Sequence, residues 1–256
     1  MAALFCSAFG ANFSAKAASY PSDEITTRDG MELKITFFGH GSIAFEFEGR
    51  HIYVDPVSDY ADYSRLPKAD VILVTHEHGD HLDPTAIEAL WKPDTSILGS
   101  ATAIETLGKG DVLVHGESAI CQVHTQVANG ADTSDLIYVA EAIPAYNTSP
   151  SQLQFHPRGR NHNGYILTFG GTRVYVAGDT EDTPEMLALK DIDIAFLPVN
   201  QPYTMTEEQA ARAVQAISPG IFYPYHYGGT DHTTDLDKLA RLIENSGVEM
   251  RIRPLE

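Results

Sequence analysis

The chain has 256 residues, 43% of them hydrophobic, which is enough for one large domain with a substantial core. Its formal charge is 17 − 35 = −18, and so negative a surface repels phosphate backbones and argues against a nucleic-acid partner. No Pro-, Gly- or Ser-rich linker, low-complexity run or repeat divides it, so a single domain is expected.

The first stretch, "MAALFCSAFGANFSAKAASY", holds one charge, Lys16, and an apolar run too short to span a bilayer. Ala15-Lys16-Ala17 has the A-x-A form of a signal-peptidase site. Residues 1–18 are therefore expected to be a signal peptide, and the mature protein to be periplasmic or secreted without an integral membrane segment. A cationic start is missing; an unprocessed leader would instead leave the chain in the cytoplasm. Residues 19–30 are expected to form an N-terminal extension, and 31–256 the domain. Removal of Cys6 with the leader leaves Cys121 alone, so no internal disulfide can form and the fold must rest on its core. Cys121, in "CQVHTQV", reads as a small buried hydrophobe.

After Met31 the pattern is strand upon strand. "ELKITFFG", "SIAFEFEG" and "HIYVDP" alternate or run apolar, and "ADVILVTH" is a short continuous run typical of a strand covered on both faces. Asp83 then fits an N-cap with Pro84 at N1, opening a helix with Ile87, Leu90 and Trp91 at helical spacing. "TSILGS" reads as a strand and "ATAIETLG" as a short helix. Strands follow in "DVLVHG", "AICQVHTQV", "LIYVAEAIPAYN" and "GYILTFGGTRVYVAGDT", the last folded at Gly170-Gly171 as a hairpin turn. "DIDIAFLPV" is another buried strand. A helix is expected from Thr206, with Glu207 and Glu208 in its first turn and Ala210, Ala213, Val214 and Ile217 on one face. "GIFYPYHYG" is a strand, and a last helix from about Thr234 packs Leu236, Leu239, Ala240 and Ile243 and stops at Gly247. Two mixed sheets packed face to face with helices outside satisfy this pattern, with chemistry expected in loops at one shared edge.

The chemistry is concentrated in "ILVTHEHGDHLDP", Ile72 to Pro84, which puts three histidines and an aspartate into six positions. Residues two apart in an extended segment point the same way, so His76 and His78 can share one metal. Asp80 and His81 follow Gly79, which permits a sharp turn, and can serve a second. Imidazole nitrogen and carboxylate oxygen are zinc ligands, whereas crowded, uncoordinated imidazoles would repel one another once protonated.

"THEHGDH" resembles the H-x-H-x-D-H motif of the metallo-β-lactamase superfamily, and the order of the other motifs fits from Glu32 to about Gly229. The resemblance implies an α+β fold, a four-layer αββα sandwich with its site at one sheet edge. It also implies that Asp179, in "VYVAGDT", bridges two metals and that His226, in "YPYHYG", completes the second site. "FFGHGSIAFEFEGRHIYVDP" is similar to the superfamily's opening strands, with His40 near the site and Asp55 beneath the metal loop. The nearest branch resembles L-ascorbate-6-phosphate lactonase and N-acylphosphatidylethanolamine-hydrolysing phospholipase D. That branch commonly offers a histidine where this chain has Asn147. The third neutral ligand of the first metal is then His156, which precedes Pro157 and so favours extended backbone, or else His162, with Asn147 or water as the remaining options.

The expected metal ligands are thus His76, His78, Asp80, His81, His156, Asp179 and His226, holding two divalent ions, zinc with manganese as the alternative. A hydroxide held between two such ions attacks a carbonyl or phosphorus, with Asp80 and His40 as catalytic groups. Asp55 is expected to orient a ligand histidine and Thr75 to brace the loop. Asn200, Gln201 and Tyr203 in "PVNQPYTMT" are candidate substrate contacts, and Arg158 and Arg160 candidate partners of an anionic group. His232 is a candidate for the mouth of the site; His51, His115 and His124 read as surface or packed residues. The expected function is hydrolysis of a small-molecule ester, lactone or phosphodiester. The alternative is a non-catalytic periplasmic metal-binding protein, in which Asn147 marks a damaged site. Histidine at 81 and aspartate at 179, where the best-known β-lactamases lack the one and carry cysteine for the other, argue against β-lactamase activity.

Overall fold

The computed structural model describes residues 20–126, 132–228 and 233–255; the expected leader and His232 lie outside them. The first half builds one sheet from β1 (Ser22–Thr26), β2 (Glu32–Gly39), β3 (Ser42–Phe47), β4 (Arg50–Val54), β5 (Val71–Val74), β6 (Ser96–Gly99) and β7 (Asp111–Val112), hydrogen-bonded in that order. Helix α1 (Pro84–Leu90) joins β5 to β6, and α2 (Ala101–Leu107) joins β6 to β7. The second half repeats the plan with β8 (Ser118–Gln126), β9 (Asp132–Ala145), β10 (His162–Phe169), β11 (Thr172–Val176), β12 (Ile194–Pro198), β13 (Ile221–Tyr225) and β14 (Glu249–Met250). Its helices are α3 (Pro184–Leu187), α4 (Glu207–Ile217) and α5 (Leu236–Ile243). In each sheet the first four strands are antiparallel and the last four parallel. This duplicated plan left no repeat legible in the sequence.

Alternation decides which face goes where. Leu33, Ile35, Phe37, Phe45, Val54 and Leu73 of the first sheet meet Tyr165, Phe169, Val176, Phe196 and Tyr223 of the second in one central core. The opposite face of the first sheet, with Tyr53, Ile72 and Val74, packs against Ile87 and Leu90 of α1 and Ala103 of α2. The opposite face of the second, with Tyr175, Ala195, Leu197 and Phe222, is covered by Ala210, Ala213, Val214 and Ile217 of α4 and Leu239 and Ile243 of α5. Helix, sheet, sheet, helix is the four-layer αββα arrangement expected from the sequence. Residues buried on both sides of a sheet explain why β5 and β12 read as unbroken apolar runs.

Local signals hold where they were specific. Asp83 caps α1 by accepting from the Thr85 amide with Pro84 behind it, and Thr206 forms a reciprocal capping box with Gln209 on α4. Gly170 and Gly171 both take left-handed φ, as the two-residue turn between β10 and β11 requires.

Four details differ from expectation. Residues 22–26, within the expected N-terminal extension, form the edge strand β1, because backbone pairing with β2 needs no hydrophobic signature. Asp23 fixes it by a bidentate pair with Arg253 (2.8 Å to both oxygens), tying the first sheet to the tail that follows β14. Trp91 caps the end of α1 and stays 39% exposed, so it is not part of the buried face. Ala240 is exposed for the same kind of reason, since the face of α5 is narrower than its apolar pattern. The short α3 and β14 carry too few residues to show a period.

The parallel strands aim the site. Asp55, His76, Asp179, Asn200 and His226 follow β4, β5, β11, β12 and β13, all at carboxyl ends on one rim, where open mixed sheets place their ligands.

Candidate metal centre

The loop after β5 starts from a clamped strand. The Tyr165 hydroxyl donates to the Val74 carbonyl (2.7 Å), and the Asn163 amide to that of Thr75 (3.0 Å), so β10 fixes where β5 ends. His81 and Leu82 amides then return to the His78 carbonyl (3.0 and 2.8 Å), closing the turn. Gly79 sits in this turn without a left-handed φ and with open space where a Cβ would be. The turn therefore does not depend on glycine, contrary to the sequence reading. Gly41 is the glycine that matters: a Cβ there would come within 2.7 Å of the His81 ring.

Two supports fix which nitrogen of each buried imidazole faces inward. Asp55, fully buried, accepts from the Thr75 amide (2.8 Å), the Thr75 hydroxyl (2.7 Å) and His81 Nδ1 (2.8 Å). Since the Thr75 hydroxyl donates to Asp55, it accepts from His76 Nδ1 (2.9 Å). Both rings thereby carry a proton on Nδ1 and turn Nε2 inward. One carboxylate orients two histidines from opposite ends of the motif.

The inward atoms converge on Asp179, which is 2% exposed. Its Oδ2 lies 3.2 Å from His226 Nε2, 3.3 Å from His156 Nε2 and 3.8 Å from His76 Nε2; its Oδ1 lies 3.3 Å from His81 Nε2. Yet His81 Nε2, His226 Nε2 and Asp179 Oδ1 are buried without a hydrogen bond of acceptable geometry. Buried polar atoms left unpaired are costly. Lone pairs that surround a common space instead of bonding one another are the donor set of a cation, and a divalent metal fits them.

The donors within mutual reach fall into three groups. His76, His78 and His156 form one; His40, Asp80, His81 and His226 form another; His76, His81 and Asp179 link the two. Of the two histidines offered for the third position, His156 joins the first group, and His162 stands behind it. Asn147 is turned away, its amide nitrogen donating to the carbonyls of Tyr203 (2.7 Å) and Gln152 (3.1 Å).

His40 and His226 sit at the ends of strands in different sheets, both with left-handed φ. Their rings are 3.6 Å apart, and the His226 amide donates to the His40 carbonyl (3.2 Å). His40 Nε2 is 3.1 Å from Asp80 Oδ2, and Asp80 is 43% exposed, so it faces the solvent side of the rim.

Charge divides the centre. Burial pushes His76 far below its usual pKa and His156 down to about 4, so both stay neutral at pH 7. Burial would depress His81 and His226 as well. The charge of Asp179, helped by Asp55 beside His81 and Asp80 beside His226, overrides it, raising His81 well above its usual value and His226 to about 9. In the metal-free chain protons thus occupy this end, and a cation binding here must displace them. Binding at the Asp80 end should tighten as pH rises from 7 toward 9, with proton release; at the other end His76 and His156 have no proton to give up. Calorimetric metal titrations in buffers of different ionisation enthalpy test this, and equal pH dependence of both equivalents would contradict it.

The remaining site candidates are accounted for by geometry. Asn200 is buried and donates to the Gly228 carbonyl (2.8 Å), 3.4 Å from His226 Nδ1. Gln201 donates to the Thr204 carbonyl within its own turn. Tyr203 is the most open of the three, 38% exposed with its ring edge-on to Phe155, and Gln201 is half-buried. Arg158 pairs with Glu185 (2.9 Å), and Arg160 faces Glu77 (3.7 Å). His51 is half-buried and His115 bonds the His162 carbonyl, as packed residues do; the side chain of His124 lies outside the described burial. Sequence reasoning missed Glu181. Buried beside Asp179, it accepts from the Thr148 and Ser149 amides (2.6 and 2.5 Å) and anchors the loop that leads to His156.

An αββα sandwich with a histidine–carboxylate donor set at the carboxyl rim of both sheets defines a class, the metal-dependent hydrolases of metallo-β-lactamase fold. The profile described as "Beta-lactamase superfamily domain" matches residues 34–226, and the chain belongs to that superfamily. It is 30% identical over 235 residues to a UPF0173 metal-dependent hydrolase of Thermococcus kodakarensis, covering 88% of this chain and 98% of the relative. A crystal structure of a protein described as a metal-dependent hydrolase from Parabacteroides distasonis is 52% identical, covers 93% of this chain and all of the other, and superposes with a TM-score of 0.82. Igni18, a metallo hydrolase of Ignicoccus hospitalis, is 25% identical with a TM-score of 0.68, covering 88% of this chain and 96% of its own. The protein is a metal-dependent hydrolase.

Proposed function

We propose that this hydrolase works with two divalent cations, zinc preferred and manganese the alternative, on a small-molecule ester, lactone or phosphodiester. The observation that carries the reading is the pair of donor groups linked through His76, His81 and Asp179. His76, His78 and His156 would hold one ion, Asp80, His81 and His226 the other, with Asp179 between them. Bound there, the ions lower the pKa of water and neutralise charge developing on the substrate.

The chain's own residues then manage protons and position. Burial alone would raise the pKa of Asp80, but its contacts with His226 and His40 hold it far below the usual carboxylate range, so it stays ionised. Its side chain is 43% exposed and its Oδ2 is held by His40, so it can accept a hydrogen bond from the attacking water and orient it. Asp55 and Thr75 prevent His76 and His81 from turning the wrong nitrogen inward. Tyr203 is the remaining candidate for contact with the substrate. A charge of −18 favours a small substrate over a polyanion. Export rests on the leader sequence alone.

Metal analysis of the purified protein, with turnover of a chromogenic ester, a lactone and bis(p-nitrophenyl) phosphate, tests the proposal. Two equivalents per chain and chelator-sensitive hydrolysis of at least one probe are expected. A single equivalent, or metal binding with no turnover across the panel, would sink the two-ion reading or the substrate class.

A further inference from the structure

His162 is 1% exposed, and its ring lies against the donor cluster, 4.9 Å from His76 and 5.5 Å from His156 between centroids. It nevertheless belongs to none of the three donor groups. Its Nδ1 is 3.4 Å from His156 Nδ1, and its Nε2 makes a charge contact with Glu77 Oε2 at 3.1 Å, outside good hydrogen-bond geometry. Glu77 is fixed in turn by the Thr102 hydroxyl, which donates to the same Oε2 (2.5 Å).

The proton positions along this line follow from the end that faces the cluster. His156 points Nε2 at Asp179, so that nitrogen is the one available to a metal and the proton sits on Nδ1. A protonated Nδ1 needs an acceptor, and the nitrogen opposite it is His162 Nδ1. His162 must then carry its own proton on Nε2, which faces the Glu77 carboxylate. The reverse tautomer would set two N–H groups against each other and leave Glu77 facing a lone pair. His156 also needs support from side chains rather than from a strand. It lies in the loop between β9 and β10, outside any helix or strand, whereas His76 follows directly from a clamped strand.

We propose that His162 is a positioning residue: with Glu77 behind it, it fixes the tautomer and orientation of His156 and so sets the affinity of the cation held by His76, His78 and His156. Asp55 performs this service for His76 and His81. His156 receives it through a relay of imidazole and carboxylate. The inference rests on the two-cation reading.

The test is a cobalt(II) titration followed by visible absorption, with zinc competition for affinities and far-UV circular dichroism as the folding check. Wild type should bind two equivalents. His162→Phe keeps a ring but removes the acceptor, and should weaken one equivalent by about 10–100-fold, the usual cost of losing a ligand's supporting partner, while sparing the other. His162→Asn offers Oδ1 near the position of Nδ1 and should stay within several-fold of wild type. Glu77→Gln should weaken the same equivalent as His162→Phe, by less. Unchanged affinities in His162→Phe would overturn the proposal, and so would a loss in His162→Asn equal to that in the phenylalanine variant, which would mark a packing role only. If His162→Phe does not fold, Glu77→Gln decides: unaltered binding overturns the relay. Failure of wild type to take up a second ion would instead remove the two-cation reading on which it stands.

Discussion

Asp179→Asn is expected to keep the fold and, on the proposed two-cation reading, to lose at least ~10³-fold in kcat/KM, because several kcal/mol of metal-based stabilisation would go with the ions it is proposed to hold. Asp179 is the one carboxylate within 3.8 Å of four inward nitrogens, those of His76, His81, His156 and His226. The amide preserves volume, so packing around this buried position should survive. It removes the negative charge that raises the pKa of His81 and His226. Without that charge four imidazoles face one another, and a second cation would lie among like charges with no anion between. Metal analysis should show less than two equivalents, with circular dichroism unchanged. A variant that retains both ions and full activity would remove Asp179 from the centre.

Asp55→Ala should damage both stability and metal binding. Its carboxylate is fully buried and takes three hydrogen bonds, from the Thr75 amide, the Thr75 hydroxyl and His81 Nδ1. Removing it strands those donors away from water, for an expected loss of about 3 kcal/mol. In a chain of this size that corresponds to a fall in Tm of about 6–12 °C, measured in chelator so that metal release does not contribute. The freed rings of His76 and His81 can then present either nitrogen, and metal affinity should drop by about 10–100-fold at both ends of the site. A variant whose thermal transition and cobalt spectrum match wild type would show that the loop orders its histidines by another route.

The two experiments separate two kinds of information. The six-residue cluster from His76 to His81 was legible because its donors are neighbours in the chain, and a run of buried β-branched and aliphatic residues before it announces a strand end. Capping at Asp83 and Thr206 and the turn at Gly170-Gly171 were legible because each is a contact within four residues. The resemblance supplied Asp179 and His226 by motif order, and the geometry then brought them within 3.2 Å of each other.

Other features escaped. β1 pairs with β2 through backbone hydrogen bonds, and Asp23 adds ion pairs with Arg251 and Arg253, which leave little trace in composition. The amides of Asn200 and Gln201 are engaged by the carbonyls of Gly228 and Thr204, which the polarity of a turn does not foretell.

By itself, then, the sequence determined the layer order, through alternation and apolar runs, and the chemical type of the centre, through a dense local set of imidazoles and carboxylates. The choice between His156 and His162 belonged to the tertiary structure. They lie six residues apart, His156 in the loop and His162 at the first position of β10, and what distinguishes them as donors is the distance of each ring from Asp179 and Glu77, residues on other segments. Such distances are set by how β5, β10 and β11 pack at one rim, and packing between remote segments is not written in local pattern.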